Sequence, residues 1–164
     1  MSWRPEFVGS ARCSLVMGDV PCKGRPRFDG RTGRTYTPAK TGLFEREIRG
    51  AWMEQVGDIW ESFAGEVRVH VQVLRPLAKS VPKSQAGKAD LSKPDVDNVG
   101  KVVLDALNGV AYLDDRQVAG LAVERLPRPP HAQGVTVRIE VGYYVDVFET
   151  EWTTKGDRDE RDQG

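Results

Sequence analysis

Alternation of apolar and polar residues predicts four strands along the chain. The clearest lies within 66–75, where four valines alternate with other residues at the two-residue period of a half-buried strand. Residues 135–144 repeat this pattern, and residues 11–20 and 118–126 match it more weakly. Glycine or proline flanks these runs, and both residues interrupt regular structure.

Two other segments show the helical period. Thr37-Pro38 fits an N-cap followed by proline at the first helical position, and we expect a helix from there to about Trp60. Its predicted buried stripe is Phe44, Ile48, Ala51, Gln55 and Ile59. A second helix is predicted from about Asp97 to Asn108, where Asn108-Gly109 provides a stop. Its predicted buried face is Val99, Val102, Val103, Ala106, Leu107 and Val110.

The order strand, loop, helix, strand, helix, strand, strand predicts a single α+β domain, in which a mixed β-sheet packs against two main helices. We expect this domain to span residues 11–145, after an N-terminal extension at 1–10. A charged tail at 146–164 is expected to be disordered. Residues 78–92 have almost no large apolar groups and are predicted to form a mobile loop.

Composition narrows the class of protein. At 39% hydrophobic and 29% charged residues the chain is typical of a globular protein, and no apolar run approaches the roughly 20 residues of a membrane span. The N-terminal residues lack the apolar region of a signal peptide, so we expect a cytoplasmic protein. Cys13 and Cys22 form no CxxC motif and lie apart from both histidines, which argues against zinc and favours free thiols.

Net charge is zero, but the charges are distributed unevenly. Residues 22–40 carry six basic side chains and one acidic side chain, whereas residues 146–164 carry seven acidic and three basic ones. A neutral total therefore hides a basic segment, which we define as residues 22–40, and an acidic tail.

Acidic residues crowd the stretch around the second helix. Because neighbouring carboxylates repel each other, such a group indicates either a bound divalent cation or full exposure to water. The acids of the stretch are Asp95, Asp97, Asp105, Asp114 and Asp115. Asp97, Lys101 and Asp105 are four residues apart and therefore lie along one edge of the helix. Structural alternatives stay open: helix capping for Asp95 and Asp97, a solvated Asp97–Lys101 ion pair, and a turn at 114–115.

A metal site would need the turn after the helix to return to the helix start. That requires the strand at 118–126 to run back beside that start. Three carboxylates would then make an oxygen site suited to Mg²⁺ or Mn²⁺, which activates water and steadies the charge on a phosphodiester. A neighbouring ammonium such as Lys101 would hold the water or stabilise the phosphate. The chain has no GxSxG motif and no Walker A loop.

A family resemblance covers this stretch. The run KPDVDNVGKVVLDALNGVAYLDDRQV, from Lys93 to Val118, resembles the signature of the RusA family of Holliday junction resolvases. Residues 21–28 and 36–38 are similar to a basic N-terminal motif common in phage and prophage members. The resemblance covers residues 11–145 and implies a homodimeric, Mg²⁺-dependent endonuclease, with Mn²⁺ as a possible substitute. It implies paired, symmetric nicks in four-way DNA junctions.

The resemblance also implies roles for individual residues. Asp95, Asp97 and Asp115 fall on the family's acidic positions as metal ligands and catalytic residues, and Lys101 falls on its catalytic lysine. Asp105 occupies a further acidic position with a supporting role, and Asp114 is either a ligand or a turn residue. We expect the carboxyl groups of Asp95, Asp97 and Asp115 to lie within roughly 4–6 Å of one another, close enough to share a hydrated cation.

DNA binding would follow from contacts to phosphate. The candidate DNA-binding residues are Lys23, Arg25, Arg27, Arg31, Arg34 and Lys93. A weaker group consists of Lys79, Lys83 and Lys88. Phe28 and Tyr36 are candidates for stacking on unpaired bases, with ordinary packing as the alternative. Two other functions remain open: a non-catalytic DNA-binding module, and a nuclease that acts on other branched DNA.

Overall fold

The computed structural model describes residues 2–57, 63–130 and 133–149. In chain order its elements are β1 (Ser2–Met17), β2 (Arg27–Asp29), β3 (Arg34–Tyr36), α1 (Ala39–Gln55), β4 (Glu66–Leu74), α2 (Val96–Leu107), β5 (Val118–Arg125) and β6 (Val135–Glu149). Four of the strands form a sheet in the order β1-β6-β4-β5, and β2 and β3 form a separate hairpin. This arrangement confirms the predicted α+β fold with two main helices.

The sheet is mixed, as predicted. β6 pairs antiparallel with both β1 and β4, whereas β4 and β5 are parallel. A parallel pair needs a long crossover connection, and α2 lies within the connection between β4 and β5. The crossover sets α2 against β5, and it fixes where the acids at either end of the helix can lie.

The core lies between the sheet and the two helices. α1 packs against β1 and α2, and α2 also packs against β5. Five of the six predicted α2 positions are buried, and Val110 is partly buried. The close approach of α2 to β5 depends on Gly100, where a Cβ atom would lie 2.8 Å from Leu121 and 3.2 Å from Val123. A larger residue at this position would push the helix away from the sheet.

The buried face of α1 differs from its predicted stripe. The buried residues are Thr41, Phe44, Ile48 and Trp52, and the helix ends at Gln55 rather than near Trp60. The prediction was therefore wrong beyond Ile48: Ala51 is only partly buried and Gln55 is exposed. A spacing of four residues continues from Phe44 through Ile48 to Trp52, which keeps the large indole on the core face. Ile59 and Trp60 lie outside the described residues.

β1 begins well before the predicted strand. The segment at 2–10, predicted as an extension ahead of the domain, pairs with the end of β6, which continues to Glu149 instead of ending near 144. We call residues 2–10 and 142–149 the terminal ribbon. Most of its β1 half is exposed on both faces. Its sequence therefore does not show the alternation of apolar and polar residues that indicates a strand with one buried face. The rest of the predicted tail, 150–164, lies outside the described residues.

The loop at 78–92 is attached to the segment that follows β5. The amide of Gly87 donates to the carbonyl of Arg128 at 2.9 Å, and the amide of Arg128 donates to the carbonyl of Lys88 at 3.0 Å. Cys13 and Cys22 are both free thiols, as predicted. None of the helices in the described ranges has the length and apolar character needed to cross a membrane.

Candidate active site

One edge of α2 carries the residues spaced four apart. We call Asp97, Lys101 and Asp105 the acid edge. The ammonium of Lys101 donates to the carboxylate of Asp97 at 3.2 Å, and this hydrogen bond lowers the pKa of Asp97. Both side chains are exposed, so the pair contributes little to stability and remains accessible to a phosphate or a cation.

Asp95 occupies the N-cap position of α2 without acting as a side-chain cap. Its backbone carbonyl accepts from the amides of Asn98 at 3.1 Å and Val99 at 3.3 Å, but its carboxylate makes no capping hydrogen bond. The residue is exposed. Side-chain capping therefore does not explain this acid, although the positive end of a helix is a position that an acid favours.

Two arginines fix the segment that leads into α2. Arg125 donates through one nitrogen to the carbonyls of Asp90 and Ser92, each at 2.7 Å, and through another to the carbonyl of Pro94. Arg75 donates to the carbonyl of Lys93 at 3.2 Å. These contacts set the position of Asp95.

Sequence reasoning missed both arginines. A usable signal existed: one follows β4 and the other ends β5, and parallel neighbours end at the same edge of a sheet.

The Asp114–Asp115 pair divides into a structural acid and an exposed acid. The carboxylate of Asp114 accepts from the amide of Arg116 at 2.9 Å and caps the short 3-10 helix Asp115–Gln117. The amide and side chain of Arg116, with a hydrogen bond from Asp115, lower the pKa of Asp114 to about 2. The same side-chain hydrogen bond and the neighbouring negative charge raise the pKa of Asp115. Asp114 is thus the turn residue, and Asp115 is the acid whose ionisation is disfavoured by its negatively charged neighbour.

Asp115 lies near the end of α2 rather than near its start. The hydroxyl of Tyr112 donates to the carbonyl of Leu104 at 2.8 Å, which folds the following segment against the last turns of the helix. The charge of Asp105 also contributes to the raised pKa of Asp115, so these two carboxylates lie within electrostatic reach of each other.

The expected convergence of three carboxyl groups is not met in this structure. Within 2–57, 63–130 and 133–149, no three acidic, histidine or cysteine side chains are placed to hold a metal ion. β5 does run back to the helix start, where Arg125 binds the carbonyl of Pro94, but the turn that carries Asp115 comes before β5 and stays at the other end. Asp97 and Asp105 are themselves about 12 Å apart along the helix axis. The metal-binding roles of Asp95, Asp97 and Asp115 stay a prediction.

The available donors nevertheless fit Mg²⁺ in their chemistry. Mg²⁺ takes oxygen ligands, keeps several of its waters, and binds to proteins through one or two carboxylates together with substrate phosphates. Asp95, Asp97 and Asp115 are all exposed, so a phosphate can complete the ligand set.

Part of the basic segment forms a hairpin. Arg27 and Arg34 lie in β2 and β3, and the turn between them is closed by a hydrogen bond from the amide of Gly33 to the carbonyl of Asp29 at 2.8 Å. All four of its candidate arginines are exposed, as are Lys93 and the lysines at 79, 83 and 88. Phe28 and Tyr36 are 70% and 49% exposed, so neither serves the core and the packing alternative fails. Both rings are accessible to a base.

Lys23 differs from the other candidate DNA-binding residues because it contacts α2. Its amide donates to the carbonyl of Asn98 at 3.2 Å, and its ammonium is bonded to the carboxylate of Asp105. The basic segment therefore begins directly on the acid edge. The contact joins residues 82 positions apart in sequence, and no local pattern indicated it.

Comparison with known proteins agrees with this arrangement. The family Endodeoxyribonuclease RusA matches residues 18–141, which include the basic segment, α2 and the turn at Asp114–Asp115. A Bacillus subtilis (strain 168) protein named Uncharacterized protein YqaN is 35% identical over 120 residues, which cover 67% of this chain and 83% of that protein. The chain belongs to the RusA family of endodeoxyribonucleases.

Proposed function

We propose that this protein is a Mg²⁺-dependent endonuclease that resolves four-way DNA junctions by paired, symmetric cleavage. The observation that carries the proposal is the placement of the basic segment on the acid edge. Lys23 bonds Asp105 while four exposed arginines follow within the same segment. A DNA backbone held by those arginines would pass close to the exposed acids of α2.

Each group has a distinct proposed role. Arg25, Arg27, Arg31 and Arg34 neutralise phosphates and position the strand. Asp95 and Asp97 at the start of α2, and Asp115 near its end, are the proposed Mg²⁺ ligands, and bound Mg²⁺ would supply an activated water and neutralise charge on the phosphodiester. Lys101, already paired with Asp97, donates to a phosphate oxygen as negative charge develops there. Phe28 and Tyr36 stack on unpaired bases.

A homodimer would suit the substrate. A four-way junction has two strands to cut at symmetric positions, and a two-fold assembly presents one site to each of them. Paired nicking is therefore proposed to require two copies of this chain.

Incubation with a synthetic four-way junction tests the proposal directly. We expect nicks at symmetric positions in the presence of Mg²⁺, no nicks after chelation with EDTA, and slower cleavage of a flap and of linear duplex. Binding should weaken steeply as salt is raised, because phosphate contacts release counterions. Cleavage that persists in EDTA would exclude the metal. Equal rates on all three substrates would favour a nuclease for general branched DNA.

The Asp114–Asp115 pair gives a prediction about how the cleavage rate depends on pH. Asp115 must be ionised to hold a cation, and its pKa is raised by Asp114, so wild-type cleavage should fall off at a higher pH than it would with an ordinary aspartate. Asp114→Asn removes the neighbouring charge while keeping a good N-cap residue. The acid limb of the pH–rate profile, where the cleavage rate falls as the pH is lowered, should therefore move to lower pH. The measurement is the pH dependence of the single-turnover cleavage rate.

Glu47→Gln, an exposed acid of α1, serves as the control and should leave the acid limb in place. If Asp114→Asn leaves the limb unchanged or moves it to higher pH, Asp115 is not the group that limits activity in acid.

A further inference from the structure

The start of the basic segment is held much more tightly than its hairpin. Lys23 is partly buried, whereas the four candidate arginines that follow it are exposed. Its amide and its ammonium contact α2 at Asn98 and Asp105, seven residues or about 10 Å apart along the helix. A residue that serves only to attract phosphate does not need both a backbone and a side-chain contact to the helix that carries the acids.

The neighbouring residue is built into the same contact. The amide of Gly24 donates to the hydroxyl oxygen of Thr41 at 2.8 Å, and Thr41 is 2% exposed. A Cβ at position 24 would lie 2.9 Å from a side-chain carbon of Pro38 and 3.1 Å from that hydroxyl. The start of the segment is therefore wedged between the first turn of α1 and the acid edge of α2.

The partner of Lys23 belongs to the acidic end of the site. Asp105 lies within electrostatic reach of Asp115 and Tyr112. Without the ammonium, Asp105 would add uncompensated negative charge beside Asp114 and Asp115, where a DNA phosphate is proposed to approach. The role of Asp105 that follows from this contact is to bind the ammonium of Lys23.

We propose that Lys23 is a positioning residue of the cleavage site, which acts through Asp105 to lock the DNA-binding hairpin in register with the acids of α2. The inference rests on the proposed nuclease function and moves Lys23 from the phosphate-binding group to the site itself. A small displacement of a bound phosphodiester from the acids costs rate much more than affinity.

Three variants and a matched control test the inference. Lys23→Met keeps the length of the side chain without its charge, Lys23→Arg keeps the charge, and Asp105→Asn removes the partner. The control is Arg12→Met, because Arg12 lies in β1 and pairs with Glu140 at 2.6 Å rather than with α2. The measurements are the single-turnover rate at saturating enzyme and the junction affinity in EDTA.

Lys23→Met should lower the single-turnover rate by about 10–100-fold. Its junction affinity should change by less than about threefold, because the other phosphate contacts remain. Lys23→Arg should restore most of the rate, and Arg12→Met should match wild type. The double variant Lys23→Met/Asp105→Asn should be no slower than the slower single variant, since both changes break one contact.

Hydrogen exchange gives a readout that does not depend on cleavage. The amides of Lys23 and Gly24 donate to Asn98 and Thr41, so they should be protected in wild type and Arg12→Met, and should exchange faster in Lys23→Met.

Two results overturn the inference. If Lys23→Met loses affinity while its rate at saturation is unchanged, Lys23 is a phosphate contact like the arginines. If it matches Arg12→Met in rate and exchange, its contact with Asp105 has no role in positioning. In both cases wild-type cleavage shows that the proposed nuclease function survives, whereas an inactive wild type would remove that function and this inference with it.

Discussion

Asp97→Asn is expected to abolish junction cleavage while leaving junction binding intact. The amide has the shape of the carboxylate but no charge, so it can neither ligate a cation strongly nor pair with Lys101. Loss of one such group in a hydrolytic site costs about 10²–10³-fold in rate. The residue is exposed in the first turn of α2, so its effect on folding should be small. Single-turnover cleavage and junction affinity are measured side by side.

Glu47→Gln makes the same chemical change at an exposed site on α1 and should cleave like wild type. Asp115→Asn should lose activity as Asp97→Asn does if both acids serve one site. A fully active Asp97→Asn variant would contradict the assignment. Junction binding without cleavage by both wild type and variant would favour the non-catalytic DNA-binding module.

Trp52→Ala should destabilise the fold more than any change at the surface. The indole is 0% exposed, and truncation of a buried tryptophan costs about 3–5 kcal/mol through lost burial and the cavity left behind. For a chain of this size that corresponds to a fall in melting temperature of roughly 10 °C or more. Urea denaturation measures the free energy of unfolding.

Trp52→Phe is the matched variant. Within the described ranges, the indole nitrogen of Trp52 is buried without a hydrogen-bond partner, so phenylalanine removes an unsatisfied donor while keeping most of the apolar volume. We expect a clearly smaller loss of stability than with alanine. If alanine costs no more than phenylalanine, α1 does not depend on this side chain for its attachment to the core.

Elements with one buried face could be predicted closely from sequence. The strand predicted at 66–75 is observed as Glu66–Leu74, and the helix predicted from Asp97 to Asn108 is observed as Val96–Leu107. In both, burial repeats at the period of the element. The first half of β1 was missed because it pairs only with β6 and exposes both faces, which leaves no alternation in the sequence.

The candidate site was predictable only as far as local spacing reaches. The four-residue interval placed Asp97, Lys101 and Asp105 on one edge, and the structure bears this out with the Asp97–Lys101 pair. The distance from Asp115 to the helix start depends on the direction of β5 relative to α2, which no local pattern encodes. The same holds for Lys23, whose partner Asp105 lies 82 residues away in sequence.

Because of the terminal ribbon, the domain that folds as one unit is longer than the segment that matches the family. The family match begins at residue 18 and ends at 141, so it omits β1 and residues 142–149, the second half of β6. Yet Ala11, Cys13 and Met17 of β1 are buried in the core. A fragment trimmed to the matched residues would lose an entire edge strand and uncover one flank of β6. Boundaries for expression of this domain should therefore be drawn from strand pairing and not from the extent of sequence similarity.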